Sequence, residues 1–272
     1  GAAGFYEGDV AKRIVQATGG HLTLSDLKSY EPRLETPLRF NIGNGNVVIA
    51  MPPPSSGGVA IAQIIGLLSR VYALDYGVSQ EYTQLLIESM KHAFADRAEH
   101  LADAAYVDVP IDTLLDEAYL DELASRIVLG ETQEIYSYGS VSPPPDDDGT
   151  SHFCVVDKDG MMVSATETIN TSFGSLAYSP VLGFMLNNEM DDFSSPSGAN
   201  VYGLRQSDNN LPEPGKRPLS SMSPTMIEKN GVPVLALGAS GGPRIISSVV
   251  QVMLNISWFG DEPIEALRRA RV

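Results

Sequence analysis

Cysteine is nearly absent from this 272-residue chain, where Cys154 stands alone. A single thiol excludes an internal disulfide and any zinc site built on several thiolates. Cys154 is expected in the core and fixes no redox compartment by itself. Basic residues are also scarce, with 18 Lys and Arg against 34 Asp and Glu, for a formal net charge of −16. That balance opposes phosphate backbones and anionic membrane surfaces, so neither nucleic acid nor a membrane is an expected partner of the visible chain. Its simplest consequence is a solvated acidic face. No apolar run approaches the roughly eighteen residues needed to span a bilayer, and the opening "GAAGFYEGDV" lacks a basic-then-apolar signal pattern. There is no repeat of solenoid period, and compositional bias is confined to one Pro/Asp run.

What is present is a globular composition, 43% hydrophobic and 19% charged. The length allows one large domain or two small ones and an ample core. The chain starts without Met and ends on "EALRRARV" inside a helical pattern, so a piece of a longer protein is expected.

The first half reads as mainly helical. "EGDVAKRIVQATGG" sets Val10, Ile14 and Val15 at helical spacing and stops at Gly19 and Gly20. Ser25 is expected to cap the short segment "DLKSY". "RFNIGNGNVVIAM" reads as a hairpin turning at Asn44-Gly45. After "PPPSSGG", a buried helix is expected over 59–74, with Gly57 and Gly58 marking its start. In "EYTQLLIESMKHAFADRAEHL", Tyr82, Leu85, Leu86, Met90, Ala93, Phe94 and Leu101 trace one apolar face. A further helix is expected over 111–127. Residues 129–149 then form the one convincing linker, ending in "PPPDDDG".

Beyond the linker the pattern switches to strands. "HFCVVD", the turn "KDG" and "MMVSATETIN" form a hairpin, followed by a strand in "GFMLNNEM" and a second hairpin in "PTMIEKNGVPVLALGAS" turning at Asn230-Gly231. "GGPRIISSVVQVMLNISWF" then reads as a buried helix. Together these elements suggest layered sheets flanked by helices.

Chemistry gathers at the junction of linker and strand. An internal threonine hydroxyl is a poor nucleophile, but Thr150 at a new amino terminus would carry its own base, an α-amino group with a reference pKa of about 7.7 to 8.0. Attack of that hydroxyl on the carbonyl of Gly149, then hydrolysis of the ester, would create such a terminus; a Gly-Thr pair before a strand is otherwise only a strand entrance. "SATETINTSFGS" sets Thr166, Thr168 and Asn170 on alternate positions, hence on one face of a strand. Such a face is either solvent-exposed or able to support the nucleophile through Thr168 and a substrate through Asn170.

"LNNEMDDFSSP" concentrates Asn187, Asn188, Glu189, Asp191 and Asp192, and three readings compete there. They are a solvated loop, a calcium site and an amine-binding pocket; the EF-hand spacing is absent, so the metal ranks last. "GASGGPRI" sets Gly241 and Gly242 before a helix, where backbone N–H groups can hold an oxyanion, an effect of about 2.7 to 4 kcal/mol per donor. A plain strand-to-helix turn would look similar. In "PGKRPLSSMSPT" the hydroxyls of Ser220 and Ser221 either bind a carboxylate or make a turn.

In this order the segments "GTSHFCVVDKDG", "VSATETIN", "FGS", "LNNEMDDFSSP", "GKRPLSSMSPT" and "GASGGPRI" resemble the γ-glutamyltransferase (γ-glutamyl transpeptidase) family of N-terminal-nucleophile hydrolases, and the similarity extends through the helical half. The resemblance implies an α+β fold, an αββα four-layer sandwich, here incomplete, made as a precursor that cuts itself between Gly149 and Thr150. It implies residues 1–149 as the C-terminal part of a large-subunit region and 150–272 as the N-terminal part of a small-subunit region, both within one structural domain. Thr150 would be the nucleophile, Thr168 its supporting hydroxyl, and Gly241 and Gly242 the oxyanion donors. Asn170, Glu189 and Asp192 match positions that hold the amino end of a γ-glutamyl group, and Ser220 and Ser221 match positions near its α-carboxylate. A free α-ammonium needs acceptors and anions, which this trio can provide. "NVYGLRQSDNNLPEPG" resembles the family's mobile lid, with Tyr202 at the matching aromatic position.

The family's large subunit extends upstream of residue 1, where it supplies an arginine for the α-carboxylate, and the family continues past Val272 with further strands. No arginine of this chain is matched to that role. Expected partners are a small γ-glutamyl donor such as glutathione and a water, amino-acid or peptide acceptor, with no cofactor and no metal. The resemblance implies export to the periplasm, cell surface or medium. Two alternatives remain at this level: a related amidase acting on glutaryl-cephalosporin or polyglutamate, and an uncleaved, inactive domain.

Overall fold

The computed structural model describes residues 1–73, 77–138, 149–195 and 207–272, and these form a mixed helix-and-sheet structure. Its framework is an antiparallel sheet in the order β1-β2-β7-β8, built from β1 (Leu38–Asn41), β2 (Asn46–Ala50), β7 (Thr225–Lys229) and β8 (Val232–Leu237). The hairpins expected at Asn44-Gly45 and Asn230-Gly231 are both present, with Asn44 and Asn230 in the left-handed conformation their turns require. The central pairing sets Val48 opposite Ile227, so strands from either side of the linker share one sheet.

Three long helices supply most of the core against it. Helix α4 (Gly57–Val71) is buried nearly throughout, and α8 (Arg244–Ser257) packs beside it. Ile61, Ile64, Leu68, Val48, Ile227, Ile246, Met253 and Leu254 belong to one cluster. Each such side chain contributes about 1.5 to 3 kcal/mol relative to exposure. The two glycines that start α4 answer to space: a Cβ on Gly57 would lie 2.0 Å from Ser223 Oγ, and one on Gly58 would lie 2.2 Å from the Met51 carbonyl oxygen.

Helix α5 (Gln80–His100) begins at Ser79, whose hydroxyl accepts a hydrogen bond from the Tyr82 amide. Its apolar face packs on α4 through Leu85, Leu86 and Ala93, but it also buries Glu88, His92 and Arg97. Glu88 accepts hydrogen bonds from Lys91, Thr132 and Tyr138. Burial alone would raise its carboxyl, yet these donors hold it below the usual range.

A second, two-stranded sheet pairs β3 (Thr150–Val156) with β4 (Met162–Thr168), setting Thr150 opposite Thr168 and His152 opposite Thr166. It joins the framework at the end of β8, where Ser164 Oγ donates to the Leu237 carbonyl at 3.0 Å. There the His152 ring occupies the space a Cβ on Gly238 would fill.

Several expectations are corrected. Cys154 is exposed rather than in the core, because most of β3 beyond Thr150 stays open to solvent. Thr23, not Ser25, caps α3 (Leu24–Ser29), through a reciprocal box with Asp26. The helix expected over 111–127 is two, α6 (Ile111–Leu114) and α7 (Glu117–Ala124), because Asp116 turns its side chain onto the Ala118 and Tyr119 amides and starts a new helix. In the stretch 183–190 only β6 (Phe184–Met185) is strand, paired with β5 (Tyr178–Ser179). Asn170 lies past the end of β4 with φ 76°, outside the alternation of Thr166 and Thr168.

Candidate active site

The start of β3 is set by a close approach. A Cβ on Gly149 would lie 2.2 Å from the Asn170 carbonyl oxygen and 2.5 Å from the Thr171 carbonyl carbon, so only glycine passes beneath that turn. Thr150 follows directly and is only 9% exposed. The register of the hairpin then brings two hydroxyls together: Thr150 Oγ1 donates to Thr168 Oγ1 at 3.1 Å. Thr168 Oγ1 also accepts the Asn170 amide at 2.8 Å and donates to the Gly149 carbonyl oxygen at 3.4 Å. One hydroxyl thus touches both the candidate nucleophile and the oxygen of the bond that nucleophile would attack. The bond to Gly149 is long, which leaves room for it to shorten as negative charge grows on that oxygen.

From Thr168 a polar chain runs outward. Asn170 is 2% exposed, and its Nδ2 donates to the Asn188 carbonyl at 3.0 Å. Asn188 Oδ1 in turn accepts the Thr171 amide and hydroxyl at 3.2 and 3.0 Å. This clamp fixes the 3₁₀ turn Glu189–Asp192 beside the end of β4. Glu189 Oε1 is buried without a hydrogen-bond partner, and burial raises the carboxyl to about 7.

Arg97, on α5, meets the far end of that turn. It is 4% exposed; its Nε donates to Ser56 Oγ and its Nη2 to Ser221 Oγ, each at 2.8 Å. Burial pushes the guanidinium down to about 10, and the charge of Asp192 opposes that shift. Arg97 therefore couples Ser221, a candidate carboxylate ligand, to Asp192, a candidate ammonium ligand. Asn210 reinforces the link: its Nδ2 donates to the Asp192 carbonyl at 2.7 Å, and its Oδ1 accepts the Leu219 amide at 3.0 Å.

Ser220 is held by backbone bonds to Pro54 and Ser56, and its hydroxyl accepts the Met222 amide at 3.1 Å. Upstream, buried Asp103 accepts Arg33 Nη1 at 2.8 Å and the Arg217 amide at 2.9 Å, which pins the segment leading to Ser220.

Gly241 and Gly242 precede α8 with φ of 113° and 53°, values that a side chain would strain. Their loop meets the hairpin at Gly238, through His152, whose Nδ1 is 2.8 Å from Thr166 Oγ1. Tyr202 lies outside the described residues. Among the described residues no group of three or more His, Cys, Asp or Glu is placed to hold a metal ion. No helix among them is long and apolar enough to cross a membrane.

Sequence reasoning missed Arg97 and Asn210. For Arg97 a signal existed, since Ala93, Arg97 and Leu101 fall at i, i+4 and i+8 on the apolar stripe of α5, so a cation interrupts a buried face. Asn210 gave none, because its partners are 9 and 18 residues away across a loop.

The family described as gamma-glutamyltranspeptidase matches residues 1–272. A glutathione hydrolase proenzyme of Escherichia coli (strain K12) is 40% identical over 98% of this chain and 47% of its own length. One from Pseudomonas sp. (strain A14) is 40% identical over the whole chain and 48% of its own length. The chain thus spans about half the length of these relatives. Among solved structures, a cephalosporin acylase from Bacillus halodurans is 26% identical, with a TM-score of 0.81 over 99% of this chain and 47% of that one.

Proposed function

The chain belongs to the gamma-glutamyltranspeptidase family, and from that premise we propose that it forms the catalytic centre of a self-cleaving γ-glutamyltransferase and glutathione hydrolase. The observation that carries this reading is the hydroxyl of Thr168, shared between Thr150 Oγ1 and the Gly149 carbonyl oxygen. In the cleavage step Thr150 Oγ1 attacks the Gly149 carbonyl carbon while Thr168 donates to the developing oxyanion. The C–N bond breaks, the hydroxyl proton passes to the Thr150 nitrogen, and an ester remains. Water hydrolyses that ester, leaving a Gly149 carboxylate and a free Thr150 α-amine.

That amine, with a reference pKa of about 7.7 to 8.0, is then the base for turnover. Thr150 Oγ1 attacks the γ-carbonyl of the donor, the amine takes its proton and delivers it to the leaving nitrogen, and a γ-glutamyl ester forms. Water or an amino group attacks that ester in the second half-reaction. The N–H groups of Gly241 and Gly242 serve the oxyanion. Asn170, Glu189 and Asp192 receive the α-ammonium; Ser220 and Ser221 receive the α-carboxylate, with Arg97 behind Ser221 as a positioning cation.

The same reading assigns residues 1–149 and 150–272 to the large and small subunits, completes an αββα four-layer sandwich in the full-length protein, and places that protein in the periplasm, cell surface or medium. Its partners are a γ-glutamyl donor and a water, amino-acid or peptide acceptor, with no cofactor. The likeness to the cephalosporin acylase favours one second reading, deacylation of glutaryl amides. The test is release of a chromogenic anilide by the self-cleaved full-length protein. Release from the γ-glutamyl anilide, lost in Thr150→Ala, is expected; absence of release by folded, cleaved protein would refute the proposal.

A further inference from the structure

The linker expected over 129–149 begins as a fixed arm. Residues 128–138 are gripped by side chains one turn apart on α5. Gln84 Nε2 donates to the Val128 and Glu131 carbonyls at 3.3 and 2.9 Å, and its Oε1 accepts the Gly130 amide at 3.2 Å. One turn on, Glu88 accepts Thr132 Oγ1 at 2.9 Å and the Tyr138 hydroxyl. That hydroxyl accepts the Gln133 amide at 2.9 Å, and the Tyr138 ring, 8% exposed, packs edge-on against His92.

A surface loop usually leaves its backbone groups to water, but here one glutamine side chain answers three of them. The dependence is mutual. Glu88 is 2% exposed, and a carboxylate so placed is unfavourable unless donors surround it. Lys91 supplies one donor from α5 itself; Thr132 and Tyr138 supply the others from the arm.

Beyond Tyr138 the next described residue is Gly149, seated under the Asn170–Thr171 turn. The stretch that leads to the Gly149–Thr150 bond is therefore held at both ends. Seating Gly149 closes a loop, and the chance of closure falls as about the three-halves power of the length between held points. With the arm in place that length runs from Tyr138 to Gly149. Without it the length runs from Ile127, the last core residue before the arm, and doubles.

We propose that the arm 128–138 and the Gln84–Glu88 face of α5 form a processing clasp, which holds the large-subunit end of the chain and so favours the seating of Gly149 for self-cleavage. This rests on the self-cleavage reading above and deepens it. Gln84, Glu88 and Tyr138 are positioning residues that act through the chain and not on the bond that breaks. The clasp has no part in turnover, because the Thr150 amine, once free, is no longer joined to the arm.

The experiment follows the loss of uncut full-length protein after a labelling pulse, and then kcat/KM for a γ-glutamyl anilide on the molecules that have cut. Tyr138→Phe keeps the ring against His92 and moves the held point back to Thr132, so self-cleavage should slow about twofold. The double variant Gln84→Ala, Glu88→Ala moves it back to Ile127 and should slow self-cleavage about threefold. Neither should change kcat/KM. Unchanged cleavage rates overturn the clasp, as does slowing matched by an equal loss of kcat/KM, which marks general distortion. A further measurement needs no variant: the Gly130 and Gln133 amides should be protected from hydrogen exchange in the unsubstituted protein, and exchange at unfolded-chain rates overturns the clasp. No cutting by the unsubstituted full-length protein would overturn the self-cleavage reading along with it.

Discussion

Helix α4 and the β3–β4 hairpin are held by opposite means. On α4 every residue from Gly57 to Ile65 is buried, and its isoleucines join the main apolar cluster. On the hairpin, Phe153, Val155 and Val163 remain 48%, 52% and 45% exposed, and the ordered contacts are hydroxyl to hydroxyl, histidine to threonine, and serine to carbonyl. The framework is held mainly by apolar burial. The hairpin is placed by directional polar bonds, which orient reactive atoms better than apolar packing does, since packing fixes volume and not direction.

The sharpest way to break that contrast acts on the hairpin. Thr150→Ala should abolish self-cleavage and reduce anilide release to background without lowering the urea midpoint, as seen by intact mass, kinetics and unfolding. A framework change should do the reverse. Ile64→Ala should cost about 2 to 5 kcal/mol in denaturant unfolding, and any molecules that stay folded should cleave at the normal rate. Next comes Thr168→Val, which removes the hydroxyl shared with Gly149. Its self-cleavage should slow by roughly 10² to 10³, the loss expected for one oxyanion donor.

Arg97→Lys sharpens the comparison, because it keeps the charge beside Asp192 and loses the fork that reaches Ser56 and Ser221. We expect donor KM to rise by about tenfold with little change in kcat. The smallest effect belongs to Val155→Thr on the open face of β3, within about 0.5 kcal/mol of the parent in unfolding of this chain.

The parts of the fold written in local chemistry were readable from the chain. Asn44-Gly45 and Asn230-Gly231 announce their turns, and the apolar run after Gly58 announces α4. The Thr150–Thr168 contact follows from a short hairpin, whose register a tight turn at 158–160 constrains. Cys154 and Asp116 show where that reasoning stops. Apolar character does not reveal which face of a hairpin the framework covers, and a cap inside an apolar pattern splits a helix that periodicity alone would continue. Arg97 reaches Ser221 across 124 residues of sequence, and Glu189 owes its altered acidity to burial. Neither property exists until the chain has folded.

The central claim concerns one peptide bond, so the mass of the full-length protein after purification tests it most directly. The account predicts two fragments divided before Thr150, the second with a threonine amino terminus, and one uncut species for Thr150→Ala. Steady γ-glutamyl transfer by a chain still continuous through Gly149 and Thr150 would contradict it.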